Sequence, residues 1–220
     1  MKRIKFETHC HSNRSKDSLN KLVDLIRFAK KKNISRLAIT DHNRIDGAIA
    51  AKEKAPDLII VGEEILTTKG ELLAFFVKEL VPSGLSPMEA IERLRDQNAF
   101  ISVSHPFDML RQGWEIADLK IISPFVDAIE IFNARCFSKG INDQAVQFAK
   151  ENNLNGTVGS DAHTLPEVGK AVLSIPEFFD ADSLRQVLPY ATGITNYSSP
   201  LVRFGSSYAR LLRIIKNQNE

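Results

Sequence analysis

The chain has 220 residues, 43% of them hydrophobic, with a formal net charge of +2, the profile of one globular domain (1–220) able to fold without staples. So small a charge gives no bulk attraction to nucleic acid or to a membrane surface. Two cysteines, Cys10 and Cys136, without CxxC spacing argue against a disulfide scaffold, and a reducing cytoplasm is the default expectation.

In chain order, residues 2–8 alternate apolar and polar and read as a strand that ends at His9-Cys10-His11. A polar loop over 12–18 follows, then an amphipathic helix over 19–32 that Asn33 closes. A short apolar strand over 36–40 runs into Asp41-His42, and an Ala-rich helix over 46–54 stops at Pro56. A strand over 58–61 is closed by Gly62-Glu63-Glu64, and extended pieces over 65–68 and 71–77 flank Lys69-Gly70 as a hairpin. Ser86-Pro87 with Glu89 opens a helix through 97 as an N-cap and capping box. Strands over 100–104 and 128–132 end at His105-Pro106 and at Asn133-Ala134-Arg135. A helix over 140–152 and a strand over 155–158 lead to Gly159-Ser160-Asp161-Ala162-His163. A strand over 171–175, a helix over 180–188 and a terminal helix over 206–216 complete the chain. No apolar run approaches the ~18 residues of a membrane span, so a membrane partner is not expected.

This alternation predicts an α/β chain with a parallel sheet. The five histidines, His9, His11, His42, His105 and His163, all fall at predicted strand C-termini and none in a helix. Barrels assemble sites from that rim with contributions from many strands, whereas open sheets use chiefly one switch point. A barrel of seven irregular units is therefore expected. Residues i and i+2 of extended backbone share a face, so His9 pairs with His11 and Asp161 with His163. Taken singly, each motif is a common structural feature: HxH is more often a hydrogen-bonded rim pair than a metal pair, and Glu63-Glu64 is usually a solvated turn. Jointly, imidazoles mixed with carboxylates suit Zn, Mn or Fe, and two or three such ions make a hydrolytic centre.

The ordered set HCHS-(x)4-DS, TDH, GEE, SHP, EIFNAR and GSDAH resembles the PHP (polymerase and histidinol phosphatase) superfamily of metal-dependent phosphoesterases across the whole chain. The resemblance implies a distorted (β/α)7 TIM-like barrel with a trinuclear metal site at the strand C-terminal rim. It implies a first ion on His9, His11, Glu64 and Asp161, a second on Glu64, His105 and Glu71, and a third on Asp17, His42 and His163. Glu71 stands where many relatives carry a histidine, and the family's Gly-x-Glu pattern selects Glu64 over Glu63. His9, His11, Glu64, Asp161 and His163 would carry the chemistry, attack of a metal-bridging hydroxide on phosphorus. The ions outweigh four carboxylates and a hydroxide by about one positive charge, which favours an anionic ester. Arg135 and Arg14, both in rim loops, are the candidate substrate-binding cations.

The expected substrate is a small phosphorylated metabolite or nucleotide, or the end of a short oligonucleotide, with no obligate protein partner. No stripe of aromatic and basic residues marks a nucleic-acid groove. Two alternatives differ in class. A non-catalytic or polymerase-associated barrel would hold metal without turnover. A metal-dependent amidohydrolase also opens with HxH, but has no use for Asp17 beside His42 and His163.

Overall fold

The computed structural model describes residues 2–202, 205–209 and 211. Nine strands, β1 (Arg3–Glu7), β2 (Arg36–Ile39), β3 (Ile59–Leu66), β4 (Glu71–Phe75), β5 (Phe100–Val103), β6 (Ala128–Asn133), β7 (Asn155–Gly159), β8 (Ala171–Pro176) and β9 (Thr192–Thr195), form one sheet. The helices α1 (Leu22–Lys31), α2 (Asp46–Lys54), α3 (Pro87–Asp96), α4 (Ile116–Ile122), α5 (Lys139–Glu151) and α6 (Ala181–Val187) pack around it.

The strand order is β7-β6-β5-β4-β3-β2-β1-β8-β9, and the sheet curls until its ends nearly meet. Just past β1 and β7, Cys10 and Ala162 pair in parallel, and His11 N–H donates to the Ala162 carbonyl at 3.0 Å. The first seven strands thus form a distorted TIM-like barrel, with β8 and β9 added along the other edge of β1. The sheet is mixed: the expected hairpin at Lys69-Gly70 is the antiparallel pair β3–β4, and further antiparallel pairs depart from the expected parallel sheet. β4 runs antiparallel to β3 and β5, β8 runs antiparallel to β1, and β9 to β8. The reason is local: the chain reverses at Lys69-Gly70, so β4 starts at the rim where β3 ends. The extended pieces over 58–61 and 65–68 also merge into the single strand β3.

Local signals set most element ends. Ser86 Oγ accepts from Glu89 N–H while the Glu89 carboxylate accepts from Ser86 N–H, closing the capping box on α3. Asp180 caps α6 in the same reciprocal way with Ser183. Asn33 takes a φ of 56° just after α1, a left-handed position that asparagine tolerates. Helix α4 (7 residues) and strand β9 (4 residues) are not among the elements read from the sequence. Of the expected terminal helix over 206–216, residues 205–209 are helical; residues 210 and 212–216 lie outside the described residues.

Three apolar clusters hold the layers together. One packs α3, α4 and α5 on the outer faces of β3–β6, and another packs α1 and α2 on β2, β3 and β8. The third fills the lower barrel with Ile4, Phe6, Ile60, Leu73, Phe75 and Phe100. Above that plug the inward positions turn polar. Ser102 and Thr157 hydroxyls meet at 2.9 Å across the barrel, and the next inward residues are the donors described below. The plug closes the floor, so the polar site opens only upward.

Candidate metal centre

Each donor reaches the rim by strand alternation or by the turn that ends its strand. On β3, Ile60, Gly62 and Glu64 point inward, while Glu63 faces the other way and accepts from Val81 N–H at 3.1 Å. On β4, Glu71 shares the inward parity of Leu73 and Phe75 and comes first at the rim because the strand runs downward. His105 and His42 follow β5 and β2 directly, and Asp17 arrives on the loop after His11. Asp161 has a φ of 51°, a left-handed conformation that costs an aspartate about 1 kcal/mol or more and is concentrated at functional sites.

The structure brings together His9, His11, Asp17, His42, Glu64, Glu71, His105, Asp161 and His163. Glu64 is central: Oε2 lies 3.3 Å from the Nε2 atoms of both His9 and His11 and 3.0 Å from His42 Nδ1. Its Oε1 accepts from Ser104 Oγ at 2.7 Å and lies 3.2 Å from His105 Nε2. Glu71 Oε2 is 3.4 Å from His105 Nε2. Asp17 spans His163 Nε2 at 3.3 Å and His42 Nε2 at 3.6 Å. Asp161 Oδ1 lies 3.4 Å from His11 Nε2 and 3.3 Å from His163 Nδ1.

A further ring of side chains fixes these donors. Glu130 Oε1 accepts from His9 Nδ1 at 3.0 Å, and its Oε2 accepts from His105 N–H at 2.9 Å. Asp41 takes the hydroxyl protons of Ser12 and Ser15 at 2.6 and 2.8 Å. Ser15 Oγ therefore accepts from His11 Nδ1 at 3.3 Å. Glu167 accepts from His163 N–H at 3.1 Å and pairs with Arg135 Nε at 3.0 Å. Metal-binding imidazoles are commonly oriented in this way through the nitrogen not used for the ion.

That pattern permits a test of fit. With Nδ1–H of His9 directed to Glu130 and Nδ1–H of His11 to Ser15, both Nε2 lone pairs face inward, 3.0 Å apart. At most one proton can lie between them. Glu64 Oε2 is buried among three imidazole nitrogens without a well-directed hydrogen bond. Both features want a positive centre, and divalent cations supply one. Three groups of donors have ligand atoms close enough to share an ion: His9, His11 and Asp161; His11, His42 and His163; and His42, Glu64 and Glu71.

The electrostatics of the metal-free chain agree. Burial and the neighbouring His163 and His42 charges lower His11 to about 3, so it is neutral. Burial opposes charging of His9, yet the Glu64, Asp161 and Glu130 carboxylates raise its pKa well above the usual imidazole range. Burial would raise Glu64 and Asp161, but His9 beside both, with His42 on the first and Arg111 on the second, holds them well below the usual range. Glu71 is pushed up to about 7 by burial and by the charge of Glu64.

Asp17, His42, Glu71, His105, Asp161 and His163 face a cleft of ≈ 230 Å³, together with Arg111 and Arg135. Arg135 Nη1 approaches His163 Nδ1 at 2.8 Å and Nη2 donates to Ser206 Oγ at 2.8 Å. Arg14 is not brought to the cleft. Its half-exposed side chain lies 3.6 Å from Asp46 on the outer surface, because the turn through Ser12 and Ser15 directs it away. Arg111, absent from the sequence expectations, enters from a 3-10 turn (Met109–Arg111) that lacks any apolar periodicity. Glu130 carried a usable signal, an acidic residue inside an apolar strand.

A barrel with this donor set on its rim defines a metal-binding, hydrolase-type site. Comparison with known proteins agrees. Residues 7–105 match the PHP domain model and residues 140–188 the PHP-associated model. A protein of Methanocaldococcus jannaschii is 36% identical over 178 residues, covering 79% of this chain and 71% of its own. The chain belongs to the PHP domain family. Among solved structures, PsfC from Pseudomonas syringae superposes with a TM-score of 0.72 at 20% identity, over 96% of this chain and 100% of that one. A protein of Bifidobacterium adolescentis described as a metal-dependent phosphoesterase gives 0.62 at 18% identity, over 84% of this chain and 95% of that one. Among the described residues no helix is long and apolar enough to cross a membrane.

Proposed function

We propose that this chain is a metal-dependent phosphoesterase acting on the phosphate ester of a small metabolite or nucleotide. The observation that supports this most directly is the convergence of nine imidazole and carboxylate side chains, six of which face one cleft bordered by two arginines while His9, His11 and Glu64 lie among them. In this reading His9, His11, Glu64 and Asp161 hold one divalent ion, Glu64, Glu71 and His105 a second, and Asp17, His42 and His163 a third. Bound there, zinc, manganese or iron would polarise the phosphoryl oxygens and supply a hydroxide nucleophile near neutral pH.

The chain's own residues do the rest. Glu130 and Ser15 hold the His9 and His11 imidazoles in the orientation that aims their Nε2 atoms inward, and Glu167 fixes the His163 backbone N–H. The apolar plug beneath excludes water from below, which strengthens charge interactions at the floor. His163 Nδ1 has the Asp161 carbonyl at 2.9 Å as a second partner. With the ring proton on Nδ1 directed to that carbonyl, Nδ1 no longer accepts from Arg135 Nη1, which can then turn to a substrate phosphate oxygen. A guanidinium suits that task because its planar fork matches phosphate geometry. A cleft of ≈ 230 Å³ accepts a phosphoryl group and a small attached moiety rather than a long polymer.

The decisive experiment is a screen of phosphomonoesters and phosphodiesters with protein reconstituted in turn with Zn, Mn and Fe. Turnover that disappears on chelation supports the reading. Full metal loading with no hydrolysis of any ester would replace it with a non-catalytic metal-binding barrel.

A further inference from the structure

Arg111 holds the least expected position in the molecule. Its loop leaves β5 at His105 and is tightly built: Asp108 N–H donates to the His105 carbonyl at 3.0 Å, and Gly113 and Arg111 N–H both donate to the Asp108 carbonyl. Trp114 then anchors the loop, buried, with Nε1–H donating to the Glu71 carbonyl at 3.2 Å. Arg111 is thereby tied to two proposed ligands, His105 before it and Glu71 below it.

Its guanidinium is engaged on all three nitrogens. Nε pairs with buried Asp108 at 2.8 Å, Nη1 pairs with Asp161 Oδ2, and Nη2 donates to Asn133 Oδ1 at 3.2 Å. Asn133 completes the loop of contacts, because its Nδ2–H donates to the same Asp161 Oδ2 at 3.2 Å. One carboxylate oxygen of Asp161 therefore receives two donors while the other, Oδ1, faces His9, His11 and His163.

We infer that Arg111, with Asn133, is a positioning residue that reserves Asp161 Oδ2 and so restricts Asp161 to a single-oxygen ligand through Oδ1. The inference rests on the metal-dependent reading above and adds a determinant of ligand geometry to it. Two physical points carry it. A guanidinium can stand beside a cation site only with an anion between them, and Asp161 is that anion. A carboxylate can offer one or both oxygens to an ion, and here the second is closed off, because Oδ2 already accepts from two N–H groups. The alternative, an arginine that grips substrate, fits poorly because two buried carboxylates, Asp108 and Asp161, already balance the guanidinium charge.

The test uses the metal-free full chain titrated with Co²⁺, with visible absorption recorded alongside binding. Arg111→Ala is expected to weaken the tightest Co²⁺ site by about 10- to 100-fold, the usual effect of removing a partner behind a ligand. The d–d bands should also change in intensity as Asp161 becomes free to chelate. Arg111→Lys keeps the charge but cannot span Asp108, Asp161 and Asn133, so it should restore part of the affinity and little of the spectrum. Should Arg111→Ala not fold, the Lys variant together with Asn133→Ala decides. Wild-type affinity and spectrum in these variants overturn the proposal. So does tighter Co²⁺ binding by Arg111→Ala, which would make Arg111 a competitor of the metal. Unchanged Co²⁺ binding with only a raised KM for an ester would assign Arg111 to substrate. Failure of the wild-type chain to bind Co²⁺ removes the metal-dependent reading and this inference together, whereas Co²⁺ binding without ester turnover leaves the inference standing.

Discussion

Gly159→Ala tests the site without touching any proposed ligand. Gly159 closes β7 beside the inner face of β1, and its backbone needs no unusual φ; what it supplies is room. A Cβ placed there would collide with Glu130 Oε1 and come within 2.5 Å of His9 Cβ. His9 Cβ can give only by a backbone shift past the end of β1, and the Glu130 carboxylate must swing aside as well. Glu130 is the carboxylate that holds His9 Nδ1, His105 N–H and Asn133 Nδ2, at 3.0, 2.9 and 3.0 Å. Overpacking typically costs about 1–3 kcal/mol, and losing one hydrogen bond to a charged group about 1.5–3 kcal/mol. Together they give a destabilisation of about 2.5–6 kcal/mol. At roughly 2–4 °C per kcal/mol for a chain of this size, Tm should fall by about 10 °C. With His9 no longer oriented, metal affinity should fall by about 10- to 100-fold. The assay is thermal melting by circular dichroism, with and without divalent metal, followed by equilibrium metal binding. Gly140→Ala is the control: a Cβ there meets only Ser138 Oγ at 3.4 Å, and in the first turn of α5 the change should be neutral or slightly stabilising. A Gly159→Ala protein that melts and binds metal like the wild type would refute the claim that Glu130 is held in place by the absence of a side chain at 159.

Glu64→Gln should lose metal and activity together, since its carboxylate adjoins four imidazoles; Glu63→Gln, on the opposite face of β3, should leave metal content unchanged by elemental analysis. In the metal-free chain Glu7, Glu63 and Glu71 all have pKa values raised to about 7 by burial. Each binds its proton more tightly folded than unfolded, so each favours the folded state at low pH. That contribution is complete below about 4.5 and fades as pH rises through about 7. Urea midpoints measured across that range should show Glu63→Gln flattening the fall with pH; an unchanged slope would contradict the assignment. Arg135→Ala strips buried Glu167 Oε1 of its guanidinium, at a cost of up to about 3–5 kcal/mol. On the best ester found it should also raise KM, and Arg135→Lys should recover only part of either effect. Unchanged kcat/KM would confine Arg135 to stability.

How much was legible in advance follows from the range of the forces involved. Strand alternation is local, so His9 with His11 could be placed on one face from the sequence, and their position past β1 marked the rim. The capping box at Ser86 and Glu89 was equally plain, because all its partners lie within one helical turn. The strand-end clustering of five histidines implied a barrel, and the ordered motifs implied its family. Other features were decided by contacts between distant parts of the chain. Parity within β3 separates Glu63 from Glu64, but which face is inward depends on the apolar plug that Ile60 joins. The hairpin at Lys69-Gly70 was legible, and β4 does run antiparallel to β3; that β4 also pairs antiparallel with β5, which puts Glu71 beside His105, was decided by strand packing. Arg111 was invisible: its turn has no periodicity, and its partners Asn133 and Asp161 lie 22 and 50 residues away. Arg14 and Arg135 looked equivalent as rim-loop cations, yet one turns to the surface beside Asp46 and the other is buried against Glu167. The sequence determined which chemistry the rim could support, because residue type and spacing are written in it. Tertiary structure alone decided which side chains hold the donors in place, because those contacts form only when the barrel closes through Cys10 and Ala162.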